Sequence, residues 1–320
     1  MILIGIFHSS LLIDDVPVLN FIKFSGDIGV DIFFFVSGFG MYYSFLKEQS
    51  LIDFYMKRFA RIIPLWFGIN LVVQIYNILI TGFNLRWFVL NMTGLSFFLT
   101  GSLYYWYIPA ILFFYLITPY FVKLFKNVGA VRSYVVIGIL TMLLTGICII
   151  FHNAHFFIMI FRIPVYFAGY GFGWAACNKK IIDKSYMKFV YILFFVSLIP
   201  ELLIMKYNGH IALFRYDFKY IAFFITSISG CLILCRLFNY FEQKSGHGFI
   251  TKALEYVGQT TLSIYLLHEF VLARCTFIVG KLSIPIDNFM VNLIINIIVF
   301  VAVVFIAHII EGAKGRKREI

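Results

Sequence analysis

From Asp27 to Ile310 the chain returns again and again to apolar runs of bilayer-spanning length, and no other feature restricts its fold as much. Roughly 20 apolar residues cross a bilayer as a helix. Inside hydrocarbon every backbone N–H and C=O must be satisfied within the protein, which leaves helices as the natural form for such runs. Hydrophobic residues make up 62% of the chain and charged ones 13%, against about 25% charged in soluble domains. The fold class is therefore all-α, a polytopic transmembrane helix bundle. Polar stretches are too short to form a separate soluble domain, so residues 1–320 read as a single membrane-embedded domain. A net charge of +11 would suggest nucleic acid in a soluble chain. Here the basic residues sit in short loops between apolar runs, where they report topology, and no nucleic-acid partner is expected.

The spans are expected at Asp27 to Leu46, Ile62 to Gly82, Tyr104 to Phe121, Ser133 to Phe151, Phe156 to Ala176, Tyr186 to Met205, Phe218 to Leu237, Leu254 to Val279 and Phe289 to Ile310. An opening run, Met1 to Ile13, is too short to span alone and reads as the later part of a helix begun before Met1. No cleavable signal peptide is evident, because the apolar start lacks a basic leader and a small-residue cleavage pattern. With that first helix the bundle has about ten spans. Trp87 to Thr100 is shorter and is interrupted by Asn91, Gly94 and Ser96, so it reads as an interfacial or re-entrant segment. Charge supports this. If the segment does not span, one side collects Lys47, Lys57, Arg58, Arg61, Lys123, Lys126, Arg132, Lys179, Lys180, Lys184, Lys188, Arg236, Lys244, Lys252, Lys314, Arg316, Lys317 and Arg318, which is 18 of the 26 basic residues. If it did span, the asymmetry would largely vanish. The positive-inside rule then predicts a multi-pass protein with both termini cytoplasmic.

Ionisable groups inside such runs are expensive and call for partners or a function. Asp31 lies one turn into the stretch Gly26 to Leu46, at the depth expected for His8. A short connection makes neighbours of the two helices, and a carboxylate that orients an imidazole is a recurrent base arrangement. Arg162, Glu201, His268 and Glu269 are placed in the outer half or the middle of the membrane. The plainer alternative is a set of buried ion pairs, Asp31 with Arg162 for example. Ser37, beside Gly38 and Gly40, reads as a close-packing residue and not as a nucleophile, since no GxSxG motif or paired base accompanies it. Cys148, Cys177, Cys231, Cys235 and Cys275 have no CxxC spacing and read as small buried hydrophobes. His152 and His155 read as interfacial histidines without a carboxylate beside them, and no metal is expected.

The segment Gly29-Val30-Asp31-Ile32-Phe33-Phe34-Phe35-Val36-Ser37-Gly38-Phe39 resembles, almost residue for residue, the second-helix signature of the acyltransferase-3 family of bacterial integral-membrane O-acyltransferases. Further segments follow in the family's order. Phe54 through Lys57-Arg58-Phe59-Ala60-Arg61 to Pro64 is similar to its basic loop entering the third helix. Arg162-Ile163-Pro164 with Gly169 is similar to its arginine-proline helix start. Gly258 and Ser263-Ile264-Tyr265-Leu266-Leu267-His268 resemble its late glycine, serine, tyrosine and histidine helix. The family's first helix carries an arginine ahead of its histidine. Ile6-Phe7-His8 resembles the histidine end, and the arginine would precede Met1, which implies that the N-terminus is truncated here.

The resemblance implies transfer of an acyl group, most often acetyl, from cytoplasmic acyl-CoA to a hydroxyl of an envelope carbohydrate or lipid-linked glycan precursor. Acetyl-CoA is then the expected donor, and membrane lipid surrounds the site. His8 is the expected general base or acyl carrier, Asp31 its orienting partner, Arg162 a group that steadies the oxyanion or binds the donor, and His268 a further candidate. Lys57, Arg58 and Arg61 are the expected seat of the CoA phosphates, because charges three apart share a helix face. A transporter or flippase for polysaccharide is the alternative. An inverted repeat would favour that reading, and none is evident.

Overall fold

The structure, a computed structural model, describes residues 2–8, 17–47, 50–178, 184–207, 219–245, 248–281 and 289–316. Met1, Lys179, Lys180, Arg215, His247, Lys317 and Arg318, as well as the Cys275 side chain, lie outside the described residues. Among those described the fold is all-α, a polytopic bundle of α1 (Ile2–His8), α2 (Pro17–Ser25), α3 (Ile28–Leu46), α4 (Leu51–Thr81), α5 (Leu85–Thr93), α6 (Leu95–Thr100), α7 (Tyr107–Val128), α8 (Ala130–Ile150), α9 (Phe157–Ile160), α10 (Arg162–Cys177), α11 (Lys184–Tyr207), α12 (Lys219–Ser245), α13 (Phe249–Gln259), α14 (Thr261–Lys281) and α15 (Phe289–Arg316).

Eight segments of the described chain are long and apolar enough to cross a membrane: Pro17–Leu46, Leu51–Thr81, Tyr107–Val128, Ala130–Ile150, Phe157–Cys177, Tyr186–Tyr207, Lys219–Lys244 and Met290–Gly312. Two of the expected spans do not reach that length. Helix α1 has seven described residues, and α14 contributes a shorter apolar stretch, Thr261–Leu272. The segment from Trp87 to Thr100 falls in α5 and α6, each too short to span. They are divided at Gly94, whose φ of +73° suits a residue without a Cβ.

Three boundaries differ from those expected. The Ser50 hydroxyl caps α4 by accepting the Asp53 N–H at 3.1 Å, so the helix begins well before Ile62 and carries the basic cluster on its first turns. The run expected as one span over Leu254–Val279 is broken between α13 and α14. There the Thr260 hydroxyl donates to the carbonyls of Tyr256 at 3.0 Å and Val257 at 3.3 Å, an alternative to helix continuation that Thr offers readily. The run from Phe156 is broken at Phe161, so that Arg162 opens α10 and Pro164 falls in its first turn, where a missing N–H costs nothing. Of the four described cysteines, Cys148 and Cys231 are buried as expected, while Cys177 and Cys235 are exposed.

The chain divides into two compact units. The first comprises Met1–Gly29, Gly68–Val73 and Leu234–Ile320. Its core lies along α14 and α15, where Ile264, Val299, Val303 and Ala307 are buried together. In the same unit α1 packs against α2 and α14. It also passes so close to Gly29 that a Cβ there would stand 2.9 Å from Ile4 Cγ1.

The second unit comprises Val30–Phe67 and Gln74–Ile233, and it absorbs much of the aromatic load. Phe34 packs on Phe114 with ring centres 4.9 Å apart, Phe114 on Tyr166 at 5.2 Å, and Phe121 on Phe167 at 4.0 Å. Behind these rings α3 and α10 meet backbone to backbone. A Cβ added at Gly38 would collide with the Tyr166 carbonyl, and one added at Gly169 with the Phe35 carbonyl. Such seams of small residues are how helices associate in lipid, where apolar burial alone drives nothing together. Gly169→Ala is expected to lose about 1–3 kcal/mol through overpacking. Thermal melting of the detergent-solubilised protein should show it, with Gly40→Ala, which has open space around it, as the neutral control.

Candidate functional site

Among the described residues, each unit brings together a pair of the candidate side chains. In the first, His8 ends α1 and is exposed, while His268 on α14 is only 1% exposed. Their rings meet edge to face, with centroids 4.8 Å apart. His268 Nδ1 lies 2.5 Å from the carbonyl oxygen of Tyr265, one turn earlier. Glu269 follows it in sequence. The carboxylate whose charge acts on His8 within this unit is Asp27, buried in the turn between α2 and α3. Sequence reasoning passed over Asp27, although it stands one turn before Asp31 in the same apolar stretch.

In the second unit Asp31 and Arg162 are paired. Arg162 Nε is 3.1 Å from Asp31 Oδ1 and its terminal nitrogen 3.5 Å from Oδ2. Both side chains are shut off from solvent, at 1% and 0% exposure. Arg162 also donates to the Ile158 carbonyl at 2.8 Å, across the break between α9 and α10. Its guanidinium carbon lies 4.9 Å from the Trp106 ring centre and 4.6 Å from that of Tyr220. Carboxylate, carbonyl and two aromatic faces together answer the charge, as a cation in a desolvated site requires.

Trp106 is delivered by a turn in which Tyr105 adopts φ of +56°. A tyrosine in the left-handed region costs about 1–3 kcal/mol and persists where the surroundings demand it. Nothing in the sequence marked Trp106 or Tyr220 as partners of Arg162. Nearby on α11 and α12 in this unit, Glu201 accepts a hydrogen bond of 2.5 Å from Thr226, whose hydroxyl also lies 2.7 Å from Ser197 Oγ. Lys219, 2% exposed, rests over the rings of Tyr220 and Phe223.

The structure thus brings together His8 with His268, and Asp31 with Arg162; His8 and Asp31 belong to different units. Lys57 and Arg61 are exposed on the first turns of α4. Arg58 between them is half-buried, with its guanidinium carbon 5.8 Å from the Phe54 ring centre and Nε enclosed without a hydrogen-bond partner. Ser37 lies 3.2 Å from the Tyr115 hydroxyl, and Gly38 beside it makes the close helix approach. His152 is exposed. His155 is pressed against Phe97 and Phe156, and burial there holds its imidazole below the ordinary range. Among the described residues no three or more His, Cys, Asp or Glu side chains gather as a metal site.

Neither a search of curated proteins nor one of solved structures finds a match. A family comparison does: the Acyl_transf_3 model, described as an acyltransferase domain, matches residues 1–311. The resemblance carried by Gly29 to Phe39 therefore extends over nearly the whole chain, including both histidines, the Asp31–Arg162 pair and the basic turns of α4. The chain belongs to the acyltransferase-3 family of membrane O-acyltransferases and is an enzyme of acyl transfer.

Proposed function

We propose that this enzyme moves an acyl group, most often acetyl, from cytoplasmic acyl-CoA to a hydroxyl of an envelope carbohydrate or lipid-linked glycan precursor at the inner membrane. Family membership separates this reading from a polysaccharide transporter. The observation that carries the site is His8, an exposed imidazole at the end of α1, in contact with a second imidazole.

His8 is the general base. As the acceptor oxygen attacks the thioester carbonyl, its proton passes to a ring nitrogen of His8. The carbonyl π pair moves onto oxygen, then returns as the C–S bond breaks, and the departing CoA thiolate takes the proton back from His8. Arg162 and Asp31 act within the second unit. Their mutual pairing holds α10 against α3 and so keeps the second unit in register. The α4 cluster seats the donor: Lys57 and Arg61 present exposed cations to the CoA phosphates, and Arg58 supplies a half-desolvated guanidinium between them.

Supplying radiolabelled acetyl-CoA to membranes that contain the enzyme should label an envelope polymer, and mass spectrometry of polymers from cells with and without the gene should show an acetyl increment only with it. Unlabelled, unmodified polymers in both arms would overturn the reading. Neutralising Lys57 and Arg61 together is expected to raise KM for acetyl-CoA by about tenfold or more, as for lost charge-assisted hydrogen bonds. kcat should change little, and steady-state CoA release measures both constants.

A further inference from the structure

His268 stands behind His8 in a state the geometry defines. Its Nδ1 is 2.5 Å from the Tyr265 carbonyl oxygen. A carbonyl oxygen has no proton to give, so Nδ1 carries the hydrogen and donates it. Nε2 is left with the lone pair, and that nitrogen is buried without a hydrogen-bond partner. A desolvated acceptor with no donor is uncommon in folded proteins and points to a function. The His268 ring meets the His8 ring edge to face, with centroids 4.8 Å apart, and His8 is exposed while His268 is not.

We infer that His268 is the positioning partner of His8: Nε2 accepts an N–H of His8 and thereby fixes which His8 nitrogen keeps its lone pair for the acceptor hydroxyl. The inference rests on reading His8 as the base. The hydroxyl proton passes to the free His8 nitrogen and leaves with the thiolate. The N–H facing His268 is shared with Nε2 but not transferred, so His268 ends each turnover unchanged. A second histidine thus performs the tautomer-fixing task often given to a carboxylate. Asp27, after α2, is the carboxylate whose charge acts on His8. The helices that make up or pack against α1 and α14 carry the other ionisable groups: Lys23 on α2, Glu269 and Arg274 on α14, Lys252, Glu255 and Tyr256 on α13, and His308 and Glu311 on α15, the last bonded to Ser263 at 2.6 Å.

The test measures CoA release from acetyl-CoA across pH by the full chain purified in detergent, with melting temperatures for each variant. His268→Phe keeps a ring but offers no acceptor. It should lower kcat about 10–100-fold, as lost supporting hydrogen bonds do elsewhere, with KM for acetyl-CoA unchanged. Its acid limb should move to lower pH, because the His8 imidazolium loses the acceptor that stabilised it. His268→Gln retains a carbonyl acceptor and should recover most of the rate and the original limb. Wild-type kcat and pH profile in His268→Phe would overturn the inference. So would equal loss in both variants with an unmoved profile, which would make His268 a packing residue. Full CoA release by His8→Ala would instead defeat the reading of His8 itself.

Discussion

His8→Ala is expected to cut acyl transfer by roughly 10²–10⁴-fold, the range that a positioned general base contributes. The change removes the only group proposed to take the acceptor proton. It leaves α1 intact, since alanine is the best helix former and His8 is the last residue of the helix. Melting temperature and membrane insertion should match the wild type, because the imidazole is exposed and leaves no filled cavity behind. KM for acetyl-CoA should stay close to the wild-type value, for the donor is seated by α4. The measurement is acetyl transfer to envelope polymer with CoA release in parallel. A folded His8→Ala protein with undiminished transfer would remove the base assignment and the role inferred for His268 with it.

Breaking the Asp31–Arg162 pair is expected to have the largest effect on stability. Arg162→Leu leaves the Asp31 carboxylate in a site only 1% exposed, without its cation. Losing one partner of a buried ion pair costs about 3–5 kcal/mol. Asp31→Leu should cost as much, and it also leaves Arg162 with the Ile158 carbonyl and the faces of Trp106 and Tyr220. Replacing both by leucine removes both desolvated charges together, so the double variant should lose well under the sum of the singles. Thermal unfolding of the solubilised protein, read as a double-mutant cycle, checks this. Additive losses would mean that the two side chains do not stabilise each other. Activity should fall with the folded fraction, which separates a brace from a group acting on substrate. Arg162→Lys is also expected to destabilise, because an ammonium cannot span Asp31 and the Ile158 carbonyl as the planar guanidinium does.

The two polar clusters show how differently their parts could be read in advance. Asp31 and Arg162 were visible as charges in apolar runs, and their pairing was one of two arrangements the sequence allowed. The other put Asp31 beside His8. In the structure the carboxylate that acts on His8 within its own unit is Asp27, and the imidazole against it is His268. Hydropathy does not separate Asp27 from Asp31, which are one turn apart on the same stretch. Trp106 and Tyr220 carried no signal at all. In a chain with 40 Phe and 20 Tyr, an aromatic that faces a guanidinium looks like one that faces lipid.

What the sequence determined by itself is the class of fold: runs long enough to span must be helical, because hydrocarbon offers their backbones no other partner. It also marked Trp87 to Thr100 as too short to cross, and it carried the family signature from Gly29 to Phe39. The tertiary structure alone decided that helices break at Phe161 and Thr260, and which of the arrangements open to the buried charges is formed, as with Asp31 and Arg162, 131 positions apart. Hydropathy sets a helix's depth but not its rotation, because lipid is as apolar as a neighbouring leucine. Rotation comes from close packing such as that of Gly38 and Gly169, and packing exists only once the helices have met.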